Sequence, residues 1–211
     1  MAENKRTETT EGRRERKRRQ TRERIEQAAM TLFLERGFDA TTIEDITEAA
    51  DVSKRSFFDY FPSKEEVVVA WQDSFADRLM AAVAARPPGE SSVEAVEAAI
   101  TATVVASADE RGVALSELIH CTPALKARDQ LKYARLEQKL AEALLLRKGN
   151  DPGERSRMRV LSAIVIGALR IGGERWQQRP PGASLQEFAH ETFAELWKML
   201  AEFGDEAKSR F

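Results

Sequence analysis

The sequence has a single cysteine, Cys121, in 211 residues, which excludes an intramolecular disulfide framework. It has no CxxC motif and no paired Cys and His spacing, so no zinc site is predicted. No apolar run reaches the roughly 18–20 residues that a membrane-spanning helix needs. The N-terminus lacks the apolar region of a signal peptide. These absences predict no cofactor, no metal, no membrane partner, and a location in the reducing cytoplasm.

Aromatic residues are also few, at 7%, and runs of β-branched residues with alternating polarity are scarce. Hydrophobic residues make up 42% of the chain and charged residues 32%, so most of the chain should fold around a sizeable core. Ala, Leu, Glu, Arg and Lys dominate, and these residues favour helices over strands. We therefore predict an all-α fold.

Charge is distributed unevenly along the chain. The net charge is −2, yet residues 1–24 hold ten Lys or Arg against five Glu, so this segment carries +5 and the other 187 residues carry −7. A basic segment on an acidic body is typical of proteins that bind nucleic acid at one end. Residues 1–18 lack apolar periodicity, and we interpret them as a flexible basic arm that contacts DNA. The alternative is a solubilising tail.

A helix-turn-helix is predicted at about residues 42–61. A preceding helix is expected from Arg19, with one apolar face, until Gly37 ends it. Thr42 can cap the second helix and Ser53 the third. Two short helices joined by a turn of three or four residues are typical of DNA-binding proteins, in which the second enters the major groove.

The exposed side of this motif carries the candidate DNA contacts. Arg55 or Lys54 is suited to pair with guanine O6 and N7. Thr42, Tyr60 and Lys64 are placed to hold phosphates. The inner faces, with Ile43, Ile46, Phe57 and Phe61, should pack on the first helix. The full set of predicted DNA-binding residues is Thr42, Ser53, Lys54, Arg55, Ser56, Tyr60 and Lys64.

The remainder of the chain reads as a long fourth helix and five further helical segments, which makes about nine helices in all. The predicted division is a flexible arm at 1–18, a DNA-binding domain at 19–65 and a larger domain at 66–211. Several aromatic or polar side chains within apolar segments are candidates for a ligand pocket, or are simply core residues: Trp71, Phe75, Thr103, His120 and Tyr133.

The stretch RIEQAAMTLFLERGFDATTIEDITEAADVSKRSFFDYFPSKEEVV resembles the TetR family of one-component repressors, over about residues 20–70. Three positions depart from the family's pattern. The turn usually has Gly where this chain has Asp51, a residue that tolerates the left-handed conformation. The third helix usually has Tyr in place of Phe58, which has no hydroxyl to offer a phosphate. The third helix also usually has His or Tyr in place of Asp59, whose carboxylate would repel a phosphate or accept a hydrogen bond from cytosine N4.

The resemblance implies a C-terminal domain that dimerises through its last two helices and binds a small molecule. The predicted interface residues are Leu161, Val165, Ala168, Phe193, Leu196 and Leu200. The stretches TPALKARDQLKYARLEQKLAEALLLRKG and RVLSAIVIGALRIGGERW resemble a subgroup described as binding acyl-CoA-like ligands, which includes regulators of mycofactocin clusters.

The function implied is a sequence-specific transcriptional regulator, a repressor that a small acyl-CoA-like effector releases from its operator. Its partners would be double-stranded operator DNA, a second copy of the chain and the effector, on the nucleoid in the cytoplasm. An enzyme using His120 and Cys121 is disfavoured, because neighbours on a helix point about 100° apart. A membrane-surface protein is disfavoured because the basic arm has no opposing apolar face.

Overall fold

The computed structural model describes residues 12–179 and 182–209, except for the side chains of 127–130. Within this part of the chain there are nine α-helices and no strand, which confirms the all-α prediction. A 3-10 turn, Pro152–Glu154, precedes the eighth helix. The helices are α1 Arg13–Arg36, α2 Ile43–Ala49, α3 Lys54–Tyr60, α4 Lys64–Ala85, α5 Ser92–Ala106, α6 Glu110–Cys121, α7 Pro123–Arg147, α8 Arg155–Trp176 and α9 Leu185–Lys208.

Helix α1 begins six residues before the predicted start at Arg19, so the prediction of a flexible arm is wrong for residues 13–18. These residues carry no apolar stripe for periodicity to detect. Helix formation there relies on straight-chain Arg, Lys and Glu residues, which have high helix propensity. The Glu15 carboxylate also accepts a hydrogen bond from the Gly12 backbone N–H at 3.3 Å. Residues 1–11 of the predicted arm lie outside the described residues.

The predicted N-caps are confirmed. The hydroxyl of Thr42 accepts the backbone N–H of Asp45 at 3.1 Å, and the Asp45 carboxylate accepts the backbone N–H of Thr42 at 2.8 Å. Hydrogen bonds from the side chain and backbone of Thr42 hold the pKa of Asp45 below its usual value. Ser53 caps α3 in the same way through the backbone N–H of Ser56 at 3.0 Å. Because these caps are local, they fix where α2 and α3 begin.

The described chain divides into two compact units, Met1–Trp71 and Gln72–Phe211. The division falls inside α4, six residues after the predicted domain boundary at 65. In the first unit, the largest fully buried side chains belong to α1, α2, α3 and the residue that follows α3: Ile25, Phe33, Ile46, Phe57 and Phe61. Ile46, Phe57 and Phe61 therefore face inward, as predicted, while Ile43 is half-buried.

The second unit has one core cluster to which five helices contribute. Its buried members include Leu79 of α4, Ile100 of α5, Leu140 of α7, Val165 of α8 and Phe193 of α9. Tertiary packing of these apolar faces, more than intrinsic propensity, stabilises the helices. In the part of the chain that the structure describes, no helix is long and apolar enough to cross a membrane.

Polar contacts also link the helices that surround this core. The Arg147 guanidinium donates to the carbonyl oxygens of Val83, Arg86 and Pro87, at 3.2, 2.8 and 2.8 Å, and so satisfies carbonyls at the C-terminal end of α4. The indole N–H of Trp197 donates to the Glu97 carboxylate, which ties α9 to α5. These links join helices that lie far apart in sequence.

Candidate functional site

The turn between α2 and α3 depends on Asp51, whose φ is 50°. This is the left-handed region, which Gly, Asn and Asp adopt most readily. The backbone N–H of Val52 then donates to the carbonyl oxygen of Thr47 at 3.0 Å, which closes the turn. Asp51 therefore does preserve the turn in place of the family's usual Gly.

The outer surface of α3 presents one basic and one apolar side chain that are exposed to solvent. The structure gives Arg55 no ion-pair or hydrogen-bond partner among the described residues, and its side chain is exposed. Phe58, one turn later, is 48% exposed, with its ring edge-on to that of buried Phe57 at 5.5 Å between centroids. Residues three apart share a helix face. Arg55 and Phe58 therefore form a single accessible surface.

Lys54 differs from Arg55, although both were predicted to pair with guanine. Its ammonium group forms an ion pair and hydrogen bond with the Glu44 carboxylate of α2. This contact also lowers the pKa of Glu44. A base contact by Lys54 would have to break the pair, so the geometry favours Arg55 as the group available to a base.

The predicted phosphate-binding hydroxyls are partly occupied. Thr42 donates to the Asp45 carboxylate at 2.6 Å, so its hydroxyl proton is already used within α2. The hydroxyl oxygens of Ser53 and Ser56 lie 2.9 Å apart and share a hydrogen bond. One of these two protons remains available for another acceptor. Tyr60 is half-buried beneath the Arg18 guanidinium, which lies 5.9 Å from its ring centroid.

The structure gives Lys64 a different role from the predicted phosphate contact. Its ammonium group donates to the carbonyl oxygens of Phe38, Thr41 and Asp39, at 2.7, 2.8 and 3.4 Å. It also lies 4.4 Å from the centroid of the Phe38 ring. An ammonium group has three donors, and all three are engaged here. Lys64 thus holds the segment between α1 and α2 against the start of α4.

Replacing Lys64 with Met should destabilise the first unit, because three hydrogen bonds from a charged donor to backbone carbonyl groups disappear. We expect a loss of about 2 kcal/mol, measured by thermal denaturation followed by circular dichroism. Exposed Lys148→Met is the matched control. An unchanged melting temperature together with weaker salt dependence of DNA binding would contradict the structural role and restore the phosphate contact.

The predicted pocket residues do not converge on one site. Trp71 belongs to the first unit and is half-buried. In the second unit, Phe75 and Tyr133 pack against the core cluster. Thr103 is buried, and its hydroxyl donates to the carbonyl oxygen four residues earlier at 2.7 Å. His120 is exposed on α6. Phe75 and Tyr133 thus contribute to the core, and the five residues do not form one pocket.

An open groove of about 600 Å³ on the second unit was not predicted, although one of its lining residues, Phe193, was predicted to lie in the dimer interface. It has an acidic rim, and an apolar floor that includes Phe193. Sequence periodicity does not identify it, because α5 and α9 lie far apart along the chain. Its lining residues are Arg86, Glu90, Glu94, Glu97, Ala98, Thr101, Ala102, Val105, Gln186, His190 and Phe193.

Helices α8 and α9 pack against each other as an antiparallel pair. Arg175 pairs with Glu195 at 2.7 Å and Arg179 with Glu191 at 3.1 Å. Buried Gly172 allows close approach, because a Cβ there would lie 3.4 Å from the Thr192 methyl carbon. Both helices also carry large exposed apolar residues: Val160 at 59%, Ile171 at 52%, Met199 at 45% and Phe203 at 60%.

Three of the predicted interface residues are instead buried within the protomer. Val165 and Phe193 are members of the core cluster, and Ala168 is also buried, so they are shielded from a partner. Leu161, Leu196 and Leu200 are half-buried. The apolar surface that α8 and α9 leave uncovered consists of Val160, Ile171, Met199 and Phe203, which we name the α8–α9 patch.

Two family profiles match the chain. Residues 25–71 match bacterial regulatory proteins of the tetR family, a range that includes α2 and α3. Residues 90–201 match the MftR C-terminal domain, which extends from α5 into α9. Both halves of the chain are therefore similar to parts of known bacterial regulators.

Individual relatives agree with these profiles. The HTH-type transcriptional regulator TcmR of Streptomyces glaucescens is 33% identical over 80% of this chain and 78% of its own length. The crystal structure of Thermus thermophilus FadR, a repressor in complex with lauroyl-CoA, is 27% identical, with TM-score 0.51, over 83% of this chain and 93% of that one. A Mesorhizobium loti regulator has the same fold, with TM-score 0.59 at 20% identity over 87% and 96% of the two chains.

Proposed function

The chain belongs to the TetR family of bacterial transcriptional regulators, and from this membership we propose that it is a repressor that binds its operator through α3. Regulators of this family bind operator DNA, dimerise and bind small-molecule ligands, and they are not enzymes. The observation that carries the proposal is the exposed surface of Arg55 and Phe58 on a helix whose other side is anchored by Phe57 and Phe61. Its place of action would be the nucleoid.

In the proposed complex, α3 lies in the major groove with Arg55 and Phe58 towards the base edges. The Arg55 guanidinium matches the two acceptors of guanine, O6 and N7. Phe58 has no polar group, and its ring suits the C5-methyl group of thymine. Ser53, Ser56 and Tyr60 lie at the side of α3, where their hydroxyl groups would face phosphates.

A homodimer formed through the α8–α9 patch would present two copies of α3 to two half-sites. A twofold axis places identical patches face to face, so a self-complementary apolar patch is the expected geometry. Exposed apolar surface of this kind marks interaction sites when it is contiguous. Operator half-sites should then be inverted repeats about one helical turn, or a multiple of it, apart.

The proposed effector is an acyl-CoA-like molecule. Support comes from the FadR relative, whose structure holds lauroyl-CoA, and from the MftR match over the C-terminal domain. The open groove between α5 and α9 is a poor site for such a ligand, because its three glutamates outnumber its arginine, Arg86, which is already paired with Glu90, and would repel the phosphates of CoA. The acyl chain is better matched to the apolar interior around Phe75 and Tyr133.

Selecting duplexes from a random pool with the purified protein tests the DNA-binding proposal. We expect an inverted repeat whose half-sites contain a guanine and a neighbouring thymine. Enrichment of no common sequence would contradict sequence-specific binding.

Titrating the complex of protein and selected operator with lauroyl-CoA tests the effector class. We expect release of the DNA at constant salt, because a ligand that favours the non-binding conformation shifts the equilibrium away from DNA. Free CoA and lauric acid are the controls, since each carries only half of the molecule. Release by none of the three, or by CoA alone, would contradict an acyl-thioester effector.

A further inference from the structure

We propose that the N-terminal half of α1 and the side of α3 form a groove that binds the sugar-phosphate backbone of operator DNA. The inference rests on the proposed function, since it requires that α3 lie in the major groove. It replaces the flexible DNA-contacting arm predicted at residues 1–18 with a helical wall of defined residues, which lie before the segment that matches the tetR family and begins at residue 25.

The groove has a volume of about 750 Å³ and is open to solvent. One wall is a single face of α1, whose residues recur at the spacing of helical turns. The other wall is the turn before α3 and one side of α3. The lining residues are Arg14, Lys17, Arg18, Thr21 and Arg24 on the first wall, and Asp51, Val52, Ser53, Ser56, Asp59 and Tyr60 on the second.

The cations in the groove lack the carboxylate partners that neighbouring cations on α1 have. Arg14, Lys17 and Arg24 have no carboxylate within ion-pair distance among the described residues, and the Arg18 guanidinium faces only the Tyr60 ring. Arg19 and Arg22, which lie outside the groove, pair with Glu23 and Glu26 at 2.8 and 3.0 Å. The groove therefore carries four cations without an ion-pair partner against two carboxylates, and this excess of positive charge favours phosphates.

The two acidic residues restrict where the backbone can lie. Asp51 and Asp59 both belong to the wall formed by the turn and α3. They would repel phosphates, so the strand should follow the wall formed by α1. The hydroxyl groups of Ser56 and Tyr60 remain on the opposite side, within the same groove.

The length of the basic wall favours a polymer over a small anion. From Arg14 to Arg24 the helix advances about 15 Å, at 1.5 Å a residue. One DNA strand carries a phosphate for about every 3.4 Å along the axis. Because the strand also winds around that axis, successive phosphates along the strand lie about twice as far apart. The wall thus spans about two to three phosphates and offers four cations. A single phosphate or nucleotide would leave most of these charges unused.

The salt dependence of operator binding tests this groove. The double variant Lys17→Gln/Arg18→Gln removes two charges inside the groove. Lys126→Gln/Lys148→Gln removes two exposed charges at α7 of the second unit, and Gln preserves helix propensity in both variants. The binding constant K of each full-length variant for the selected operator is measured at salt concentrations from about 50 to 200 mM, a range in which phosphate contacts dominate the salt dependence.

The slope of log K against log salt should become shallower by about 0.9 for each phosphate that a variant no longer neutralises. The slope for the groove variant should therefore be shallower by roughly 3–4, because a dimer would leave four phosphates without their cations, while the control keeps the wild-type slope. Equal changes in both variants, or none in either, would overturn the groove and leave the role of α3 intact. Failure of the wild-type protein to bind any duplex would overturn the proposed function as well.

Discussion

Replacing Ile171 with Glu is expected to give a folded monomer whose operator affinity is lower by a factor of about 100 or more. Ile171 is 52% exposed in the protomer, so a carboxylate there can remain solvated. In a dimer formed through the α8–α9 patch, the same carboxylate would be buried without a partner, at a cost that a marginal interface cannot offset. Loss of the second half-site removes the high effective concentration that holds both copies of α3 on DNA.

The oligomeric state is measured by light scattering coupled to size exclusion, and operator affinity by fluorescence anisotropy. Val113→Glu is the matched control, because Val113 is a 47% exposed apolar residue on α6, outside the α8–α9 patch. It should remain dimeric and bind the operator normally. If Ile171→Glu stays dimeric, the patch is not the interface, whatever its effect on DNA binding.

The dimer surface illustrates what the sequence determines and what it leaves open. The sequence correctly predicts that α8 and α9 form and that both are strongly apolar. Helix α8 is apolar nearly all round, however, so periodicity does not distinguish the side that faces the protomer core from the side that faces solvent. That distinction depends on contacts with α7 and α9. Because Val165 and Phe193 face the protomer core, the candidate interface includes Ile171 and Phe203 instead.

The helix boundaries were predictable where they depend on local chemistry. Thr42 and Ser53 each cap the helix that they were predicted to cap. The start of α1 was missed, because its first two turns rely on propensity and polar contacts without an apolar stripe. Local patterns thus define where most of the helices lie along the chain.

The candidate DNA contacts were predictable as a set but not singly. Spacing placed Lys54, Arg55 and Lys64 near the motif's surface, and all three are long cations with similar reach. What separates them is their partners: Glu44 for Lys54, three backbone carbonyl groups for Lys64, and none among the described residues for Arg55. Partners that lie 10 to 26 residues away in sequence are set by tertiary structure, so a motif alone cannot rank the three.

The difference in partners between Arg55 and Lys54 predicts a second large effect, on operator affinity. Replacing Arg55 with Ala should weaken dimer binding to the selected operator by about 30-fold or more, because each of the two half-sites loses one bidentate contact worth about 1–3 kcal/mol. The loss should be confined to operators that keep the guanine, because a purely electrostatic contact would weaken all duplexes alike. Lys54→Ala should have a much smaller effect, since its ammonium is already paired with Glu44.

The measurement compares wild type, Arg55→Ala and Lys54→Ala on the selected operator and on duplexes with each guanine of the half-site replaced in turn. For wild type, one replacement should reproduce the loss caused by Arg55→Ala. For Arg55→Ala, the same replacement should cause little further loss, because the two changes remove the same contact. Additive losses at every position would mean that Arg55 holds a phosphate. A larger effect of Lys54→Ala would mean that the ion pair with Glu44 opens on DNA, and that Lys54 reads the base.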